Sequence, residues 1–284
     1  REACEYSQEL YIVARMMLST LFAAIAFPEI DPVIFQIGPF AIRWYALAYI
    51  VGLIIGWQLM MLLAREDGSR VSPKQVDDFL IWATLGVILG GRLGYVLFYK
   101  PEYYFANPSE IFMVWQGGMS FHGGFLGVVL ATVLYCRFKK IVTLDFGDLL
   151  ATVVPVGLFF GRIANFINGE LYGRATDVPW GMVFPGGGDL PRHPSQLYEA
   201  FLEGLVLFAV LLVFRRTRYA EKPGFIMGLF FAGYAVARSI VELYREPDAY
   251  LGFLIGGATM GQLLSLPILI VGLYFMFRPS RKIA

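Results

Sequence analysis

The 284-residue chain is 57% hydrophobic and 16% charged, with a mean hydropathy of +0.62 and a formal net charge of +1. A soluble domain carries about 25% charged residues and has no use for repeated apolar runs of membrane length, so this composition excludes a soluble globule. Cys4 and Cys136 lie far apart and His122 and His193 are the only histidines, so the chain offers neither a disulfide framework nor a metal-ligand cluster.

Residues 1–26 read as an N-terminal extension, non-native or interfacial. Leu10 to Phe27 is apolar apart from Arg15, Ser19 and Thr20, resembling a signal-peptide core or a short interfacial helix. Met16 or Met17 is the expected start, with residues 1–15 an upstream remnant; the alternative is a true extension on the outer surface.

Residues 27–284 form one membrane domain with seven expected spans, at 41–64, 77–99, 120–138, 148–164, 195–214, 224–243 and 258–278. Each is long enough to cross a bilayer, which takes roughly 17–25 residues. Gly86, Gly90, Gly91 and Gly94 in the second, and Gly123, Gly124 and Gly127 in the third, recur at near-helical spacing. Such small residues let helix backbones approach closely, which is how membrane bundles pack. The expected fold class is therefore all-α, with a small outer head built from the loops at about 100–119 and 165–194. Pro179-Trp180-Gly181 and Pro185-Gly186-Gly187-Gly188-Asp189 mark turns in the second loop. Ser195 or Pro194 is placed at the start of the following helix.

Orientation follows from the basic residues. Thirteen lie after spans one, three and five or at the C-terminus, seven on the opposite side, and Arg92, Arg162 and Arg238 within spans. The N-terminus is thus expected outside and the C-terminus in the cytoplasm. With that topology, Arg43-Trp44-Tyr45, Arg92, His122, Arg162 with Asn165, and Arg238 with Glu242 all fall toward the outer leaflet. Each has a local alternative: Arg238 and Glu242 as an i, i+4 pair, Arg92 snorkelling, Trp44 and Tyr45 as aromatic belt, His122 bonding a neighbouring helix. Asp148, near the cytoplasmic start of the fourth span, has a local role open to it as the cap of that helix. The shared leaflet favours one polar site over several separate accommodations.

The stretch Gly161-Arg162-Ile163-Ala164-Asn165-Phe166-Ile167-Asn168-Gly169-Glu170-Leu171-Tyr172-Gly173-Arg174 carries the strongest signal. Arginine forks, amide donors and glycine turns are what a phosphate requires. On these grounds alone the chain binds an anionic lipid or solute from the outer leaflet, as an enzyme or as an anionic-lipid transporter or flippase. A transporter would show internal repeats and broken helices at mid-membrane, and no convincing repeat is present.

That stretch resembles the signature of the bacterial prolipoprotein diacylglyceryl transferase family. So do Phe27-Pro28-Glu29-Ile30-Asp31-Pro32, Arg43-Trp44-Tyr45, Gly90-Gly91-Arg92-Leu93-Gly94-Tyr95-Val96 and Gly117-Gly118-Met119-Ser120-Phe121-His122-Gly123-Gly124. Arg192–Glu199, Gly233–Arg238, Val241-Glu242 and Arg245-Glu246-Pro247-Asp248 extend the likeness in order along the chain. The resemblance implies a transferase that moves the diacylglyceryl group of phosphatidylglycerol onto the lipobox cysteine thiol of a prolipoprotein signal peptide, releasing glycerol phosphate. It implies the bacterial inner membrane, no cofactor, no metal and no nucleic-acid partner. By position in the motifs, Arg162 and Arg238 hold and polarise the phosphate, and His122 is the base toward the thiol. Asn165, Glu170, Gly173, Tyr45, Tyr234 and Glu242 shape the substrate pocket. Residues 1–26 have no counterpart in the family pattern, and the segment between Pro185 and Pro191 is short where some relatives carry more.

Overall fold

The computed structural model describes residues 25–28, 30–38, 40–247, 252 and 254–279. The expectations for residues 1–24, and for Glu29 and Asp248 within their motifs, lie outside the described residues. Among the described residues eight helices carry the fold: α1 Trp44–Ala64, α2 Pro73–Phe98, the short α3 Pro101–Ala106, α4 Phe121–Lys139, α5 Thr143–Ile167, α6 Ser195–Arg215, α7 Phe225–Val241 and α8 Met260–Phe277. All seven expected spans are therefore helical over most of their length. Six of these helices, α1, α2, α4, α5, α6 and α8, are both long and apolar enough to cross a membrane, whereas α7 has 17 residues. The few strands are short: β1 Ile25–Ala26 pairs in parallel with β4 Met182–Val183, and β2 Val33–Ile37 pairs antiparallel with β3 Phe40–Arg43.

By contact density the chain divides into two units. Of the described residues, one comprises those up to 53, 155–210 and 231–271, and the other 54–154, 211–230 and those from 272 onward. The second unit has an aromatic and aliphatic core of Met60, Val71, Val76, Phe79, Tyr135, Cys136, Phe146, Leu149 and Val153. Phe79 meets Phe146 edge-on at 4.8 Å, and the Tyr135 hydroxyl donates to the Gln75 carbonyl at 2.7 Å, so its one polar atom is satisfied. Ser72 starts α2 in a reciprocal cap with Gln75, and Ser120 caps α4 by accepting from the Gly123 amide. The glycines of α2 and α4 meet backbone to backbone, as their spacing predicts. A methyl group built on Gly94 would stand 2.7 Å from Gly123 Cα, and one on Gly86 2.8 Å from the Gly127 carbonyl oxygen.

Two polar residues of this unit do not take the local roles open to them. Asp148 does not cap its own helix, because α5 starts at Thr143, a full turn earlier. Its carboxylate instead accepts the amides of Gly224 at 2.7 Å and Met227 at 2.8 Å, at the start of α7. Those amides have no partner inside their own helix, and Asp148 is 7% exposed. Replacing Asp148 with alanine is expected to cost about 1–3 kcal/mol, the penalty for leaving buried donors unpaired. The check is a thermal unfolding midpoint in detergent, and an unchanged midpoint would refute the cap.

Arg92 does not snorkel. It is 3% exposed and sits in a cage of carbonyl oxygens: Ile111 at 2.8 Å from Nε, Glu110 at 2.6 Å and Met113 at 3.3 Å from Nη2, and those of Gly117 and Gly118 at Nη1. Its guanidinium also lies over the Tyr104 ring at 4.9 Å. One fork thus ties residues 110–118 to α2. Lysine, a point charge with three donors, cannot reproduce this pattern. Both Arg92→Ala and Arg92→Lys are expected to speed amide hydrogen exchange across residues 108–118, while exchange in α5 stays as in the parent protein.

Candidate functional site

In the first unit the long segment after α5 folds back by backbone pairing. The Gly173 amide donates to the His193 carbonyl at 2.8 Å, the Arg174 amide to that of Tyr244 at 2.8 Å, and Met182 and Arg192 exchange bonds at 2.9 and 2.8 Å. Phe184 anchors the segment against Phe27 and Tyr172. A side chain at position 173 would meet the Tyr244 carbonyl oxygen at 2.5 Å and His193 at 2.7 Å, so only glycine fits. His193 packs edge-on against Tyr198 and Tyr244, and burial pushes its imidazole below the usual histidine value.

The signature turn is held by the first residues of α6. Ser195 Oγ donates to the Leu171 carbonyl at 2.9 Å and Gln196 Nε2 to the Glu170 carbonyl at 2.6 Å; both side chains are fully buried. Leu171 itself takes a left-handed φ of 60°, rare for a side chain of its size. Pro194, without a side-chain cap, precedes the helix, which begins at Ser195 as expected.

A compact group of ion pairs lies beside this turn. Arg162 on α5 reaches Glu199 Oε2 at 3.1 Å and Glu203 Oε2 at 3.3 Å. Arg238 on α7 contacts Glu199 and Glu242 closely and stands 4.0 Å from Glu203 Oε1. Arg245 reaches Glu199 at 3.2 Å and Glu242 at 4.0 Å, and Thr259 Oγ1 donates to Glu242 at 2.5 Å. The side chains of Glu199 and Glu203 are 0% exposed and those of Arg162 and Arg238 only 17% and 12%. Glu199 immediately precedes, and Glu203 lies within, a π-helical stretch of α6, Ala200–Val206. Such an irregular turn inside an α-helix frequently accompanies a functional site.

The sequence-predicted residues are distributed as follows. Arg162, Arg238 and Glu242 belong to the ion-pair group, and Tyr234 lies within electrostatic range of Arg162, Glu199, Glu203 and Arg238. The i, i+4 pair of Arg238 and Glu242 is present, although α7 ends at Val241. Asn165, 7% exposed, donates to the exposed Glu170 at 2.8 Å, and Asn168 donates to the same carboxylate at 3.3 Å. Tyr45 has its hydroxyl 3.4 Å from that of Tyr49, which is itself within electrostatic range of Arg162 and Glu170. His122 belongs to the other unit, exposed in the first turn of α4 with its ring edge-on to Phe121.

Sequence reasoning missed the counter-charges on α6. Glu242 was foreseen as the i, i+4 partner of Arg238, but the forks of Arg162 and Arg238 were otherwise expected to be open to a phosphate, and Glu199 and Glu203 engage them as well. Glu203 and Thr259 were not singled out at all, and Arg245 only as part of its motif. The signal was available: Glu199 and Glu203 stand one helical turn apart inside an apolar span, and a carboxylate inside the membrane is a functional candidate by default.

Comparison with known proteins supplies the family. A family model described as prolipoprotein diacylglyceryl transferase matches residues 32–278. The chain is 61% identical over 261 residues to the phosphatidylglycerol–prolipoprotein diacylglyceryl transferase of Paramagnetospirillum magneticum, covering 91% of this chain and 97% of that protein. It is 62% identical over 253 residues to the protein of the same name in Rhodospirillum rubrum, covering 88% and 92%. The Azospirillum brasilense protein, also so named, is 56% identical over 262 residues, covering 91% and 98%. Both the extent of the match and the level of identity lead to one conclusion: the chain belongs to the prolipoprotein diacylglyceryl transferase family.

Proposed function

We propose that this chain binds phosphatidylglycerol at the Arg162–Arg238 group and transfers its diacylglyceryl moiety to the lipobox cysteine thiol of a prolipoprotein. The enzyme is a transferase of lipoprotein lipidation, and the observation that carries the assignment is its 61% identity over 91% of the chain to a protein named for that reaction. The thiol sulfur attacks the glyceryl carbon bonded to the phosphate oxygen. A C–S bond forms, the C–O bond breaks with its electrons on the phosphate, and glycerol phosphate departs.

Charge grows on the leaving phosphate, so the largest need is for prepositioned cations rather than for a covalent intermediate. Arg162 and Arg238 supply them, each with a planar fork suited to phosphate oxygens. Asn165, Glu170 and Gly173 shape the headgroup pocket, Tyr45 and Tyr234 line it, and Glu242 orients Arg238. His122 accepts the thiol proton. The reading includes seven spans, α7 being the seventh, in a single domain from 27 to 284. It includes an N-terminus outside, a C-terminus in the cytoplasm of the bacterial inner membrane, and an outer head from loops 100–119 and 165–194.

The test is thioether formation on a lipobox peptide in detergent with phosphatidylglycerol, following release of glycerol phosphate. Transfer by the purified protein supports the reading. Binding of phosphatidylglycerol without any modification of the peptide would replace it with the lipid-transporter alternative.

A further inference from the structure

The ion-pair group presents a difficulty for any anionic substrate. Arg162, Arg238 and Arg245 stand against Glu199, Glu203 and Glu242, three carboxylates for three cations, so the arginines carry no spare charge for a lipid when all six are ionised. A phosphodiester adds one negative charge among side chains that are 17% exposed or less. Two like charges about 4 Å apart in a protein interior repel too strongly to be left unanswered in a productive complex. One carboxylate has to give way.

The three carboxylates are not held equally. Glu199 contacts Arg162, Arg238 and Arg245. Glu242 contacts Arg238 and accepts the Thr259 hydroxyl. Glu203 has one hydrogen bond, from Arg162 at 3.3 Å to Oε2. Two buried carboxylate oxygens of the group lack a hydrogen bond, Glu199 Oε2 and Glu203 Oε1; the first stands 3.1 Å from Arg162 Nε, whereas Arg238 stands 4.0 Å from the second. A buried acceptor left unmade is costly, and a proton placed on it removes both that cost and the charge. The groups facing Glu203 are Arg162 from α5, Glu199 from its own helix, and Tyr234 and Arg238 from α7.

We propose that Glu203 is the carboxylate that cedes its arginine to the phosphodiester, taking up one proton from solvent as the anionic lipid binds. It is a positioning residue: Arg162 turns its freed donor to the phosphate, while Glu199 and Glu242 keep both arginines in place. Charge balances, because one anion and one proton enter together. The proposal rests on the phosphatidylglycerol reading of this site. It goes further in assigning a proton to the binding step and a site for that proton.

The experiment uses the full chain in nanodiscs, adding phosphatidylglycerol and following proton uptake in weakly buffered indicator solution. The Glu203→Gln variant, the isosteric neutral form, is measured beside it, and transfer kinetics are recorded across the alkaline range. The parent is expected to take up about one proton per lipid bound, and its KM to rise toward tenfold per pH unit where that proton must be acquired. Glu203→Gln is expected to take up none and to show a flat KM at every pH. Uptake that persists in Glu203→Gln, or a parent that transfers lipid without uptake, overturns the proposal. If Glu203→Gln fails to fold, an infrared difference spectrum of the parent decides: a protonated-carboxyl band on lipid addition supports the proposal, and its absence sinks it. A parent that transfers no diacylglyceryl group refutes the functional reading instead, so the two failures are separable.

Discussion

Arg238→Ala is expected to lower diacylglyceryl transfer by about 10²–10³-fold, the loss typical of removing one preorganised donor to a developing anion. The same change leaves Glu199 and Glu242 short of a partner, and breaking a buried pair from one side costs about 3–5 kcal/mol. Loss of activity alone therefore does not separate catalysis from folding. The double variant Arg238→Ala with Glu242→Gln restores the balance of two arginines against two glutamates. It is expected to regain much of the unfolding midpoint lost by the single variant and none of the transfer. Recovery of transfer in the double variant would mean that Arg238 only neutralises Glu242 and does not touch the phosphate. Arg162→Ala is expected to behave similarly, because it too serves two buried carboxylates.

Gly90→Leu is expected to prevent stable assembly of α2 against α4. A methyl group at this position would stand 2.7 Å from Gly127 Cα, and the obstacle is backbone that cannot change rotamer. Overpacking costs about 1–3 kcal/mol where side chains can yield, and a backbone-to-backbone clash belongs at or above that limit. The measurable outcome is a lower yield of folded protein in detergent and an earlier unfolding midpoint. Gly56→Ala on α1 is the control, because nothing lies within 4 Å of a methyl group there. It is expected to be neutral or to stabilise by about 1 kcal/mol through helix propensity. Equal loss in both variants would show that glycine matters here for flexibility rather than for close approach.

The glycines illustrate what periodicity makes legible. Spacing by four puts Gly86, Gly90 and Gly94 on one face of a helix, and α2 uses that face against Gly123 and Gly127. Helix existence was equally plain, since long apolar runs in a membrane protein have few alternatives to helix. Helix ends were less so. Opening the fourth span at Asp148 placed the start of α5 a turn late, because Thr143 to Gly147 lacks the apolar run on which the expectation relied. That carboxylate serves α7 across 76 residues of sequence, a relation no local pattern contains.

The candidate site divides along the same line. Arg162, Arg238, Asn165, Glu170 and Gly173 stood out because polar residues and glycines in and beside apolar spans are conspicuous one at a time. Glu242, one turn from Arg238, could be paired with it locally, but Glu199 and Glu203 could not, because their ion pairs join distant segments. Glu203 sits in Ala200-Phe201-Leu202-Glu203-Gly204, where nothing local shows that Arg162, 41 residues earlier, will meet it. Arg92 was equally visible, yet its carbonyl cage comes from backbone atoms that every residue possesses and no residue type reveals.

By itself the sequence determined the membrane class, the helical segments, the glycine contact faces and the family, because each is written in composition, period or contiguous motif. Only the tertiary structure decided that three glutamates stand against three arginines, that Asp148 caps α7, and that Arg92 ties down residues 110–118. Each of those depends on which distant groups are brought within about 3 Å of one another, the range at which hydrogen bonds form. Side-chain chemistry can be read one residue at a time; the charge state of a buried site belongs to the assembled group.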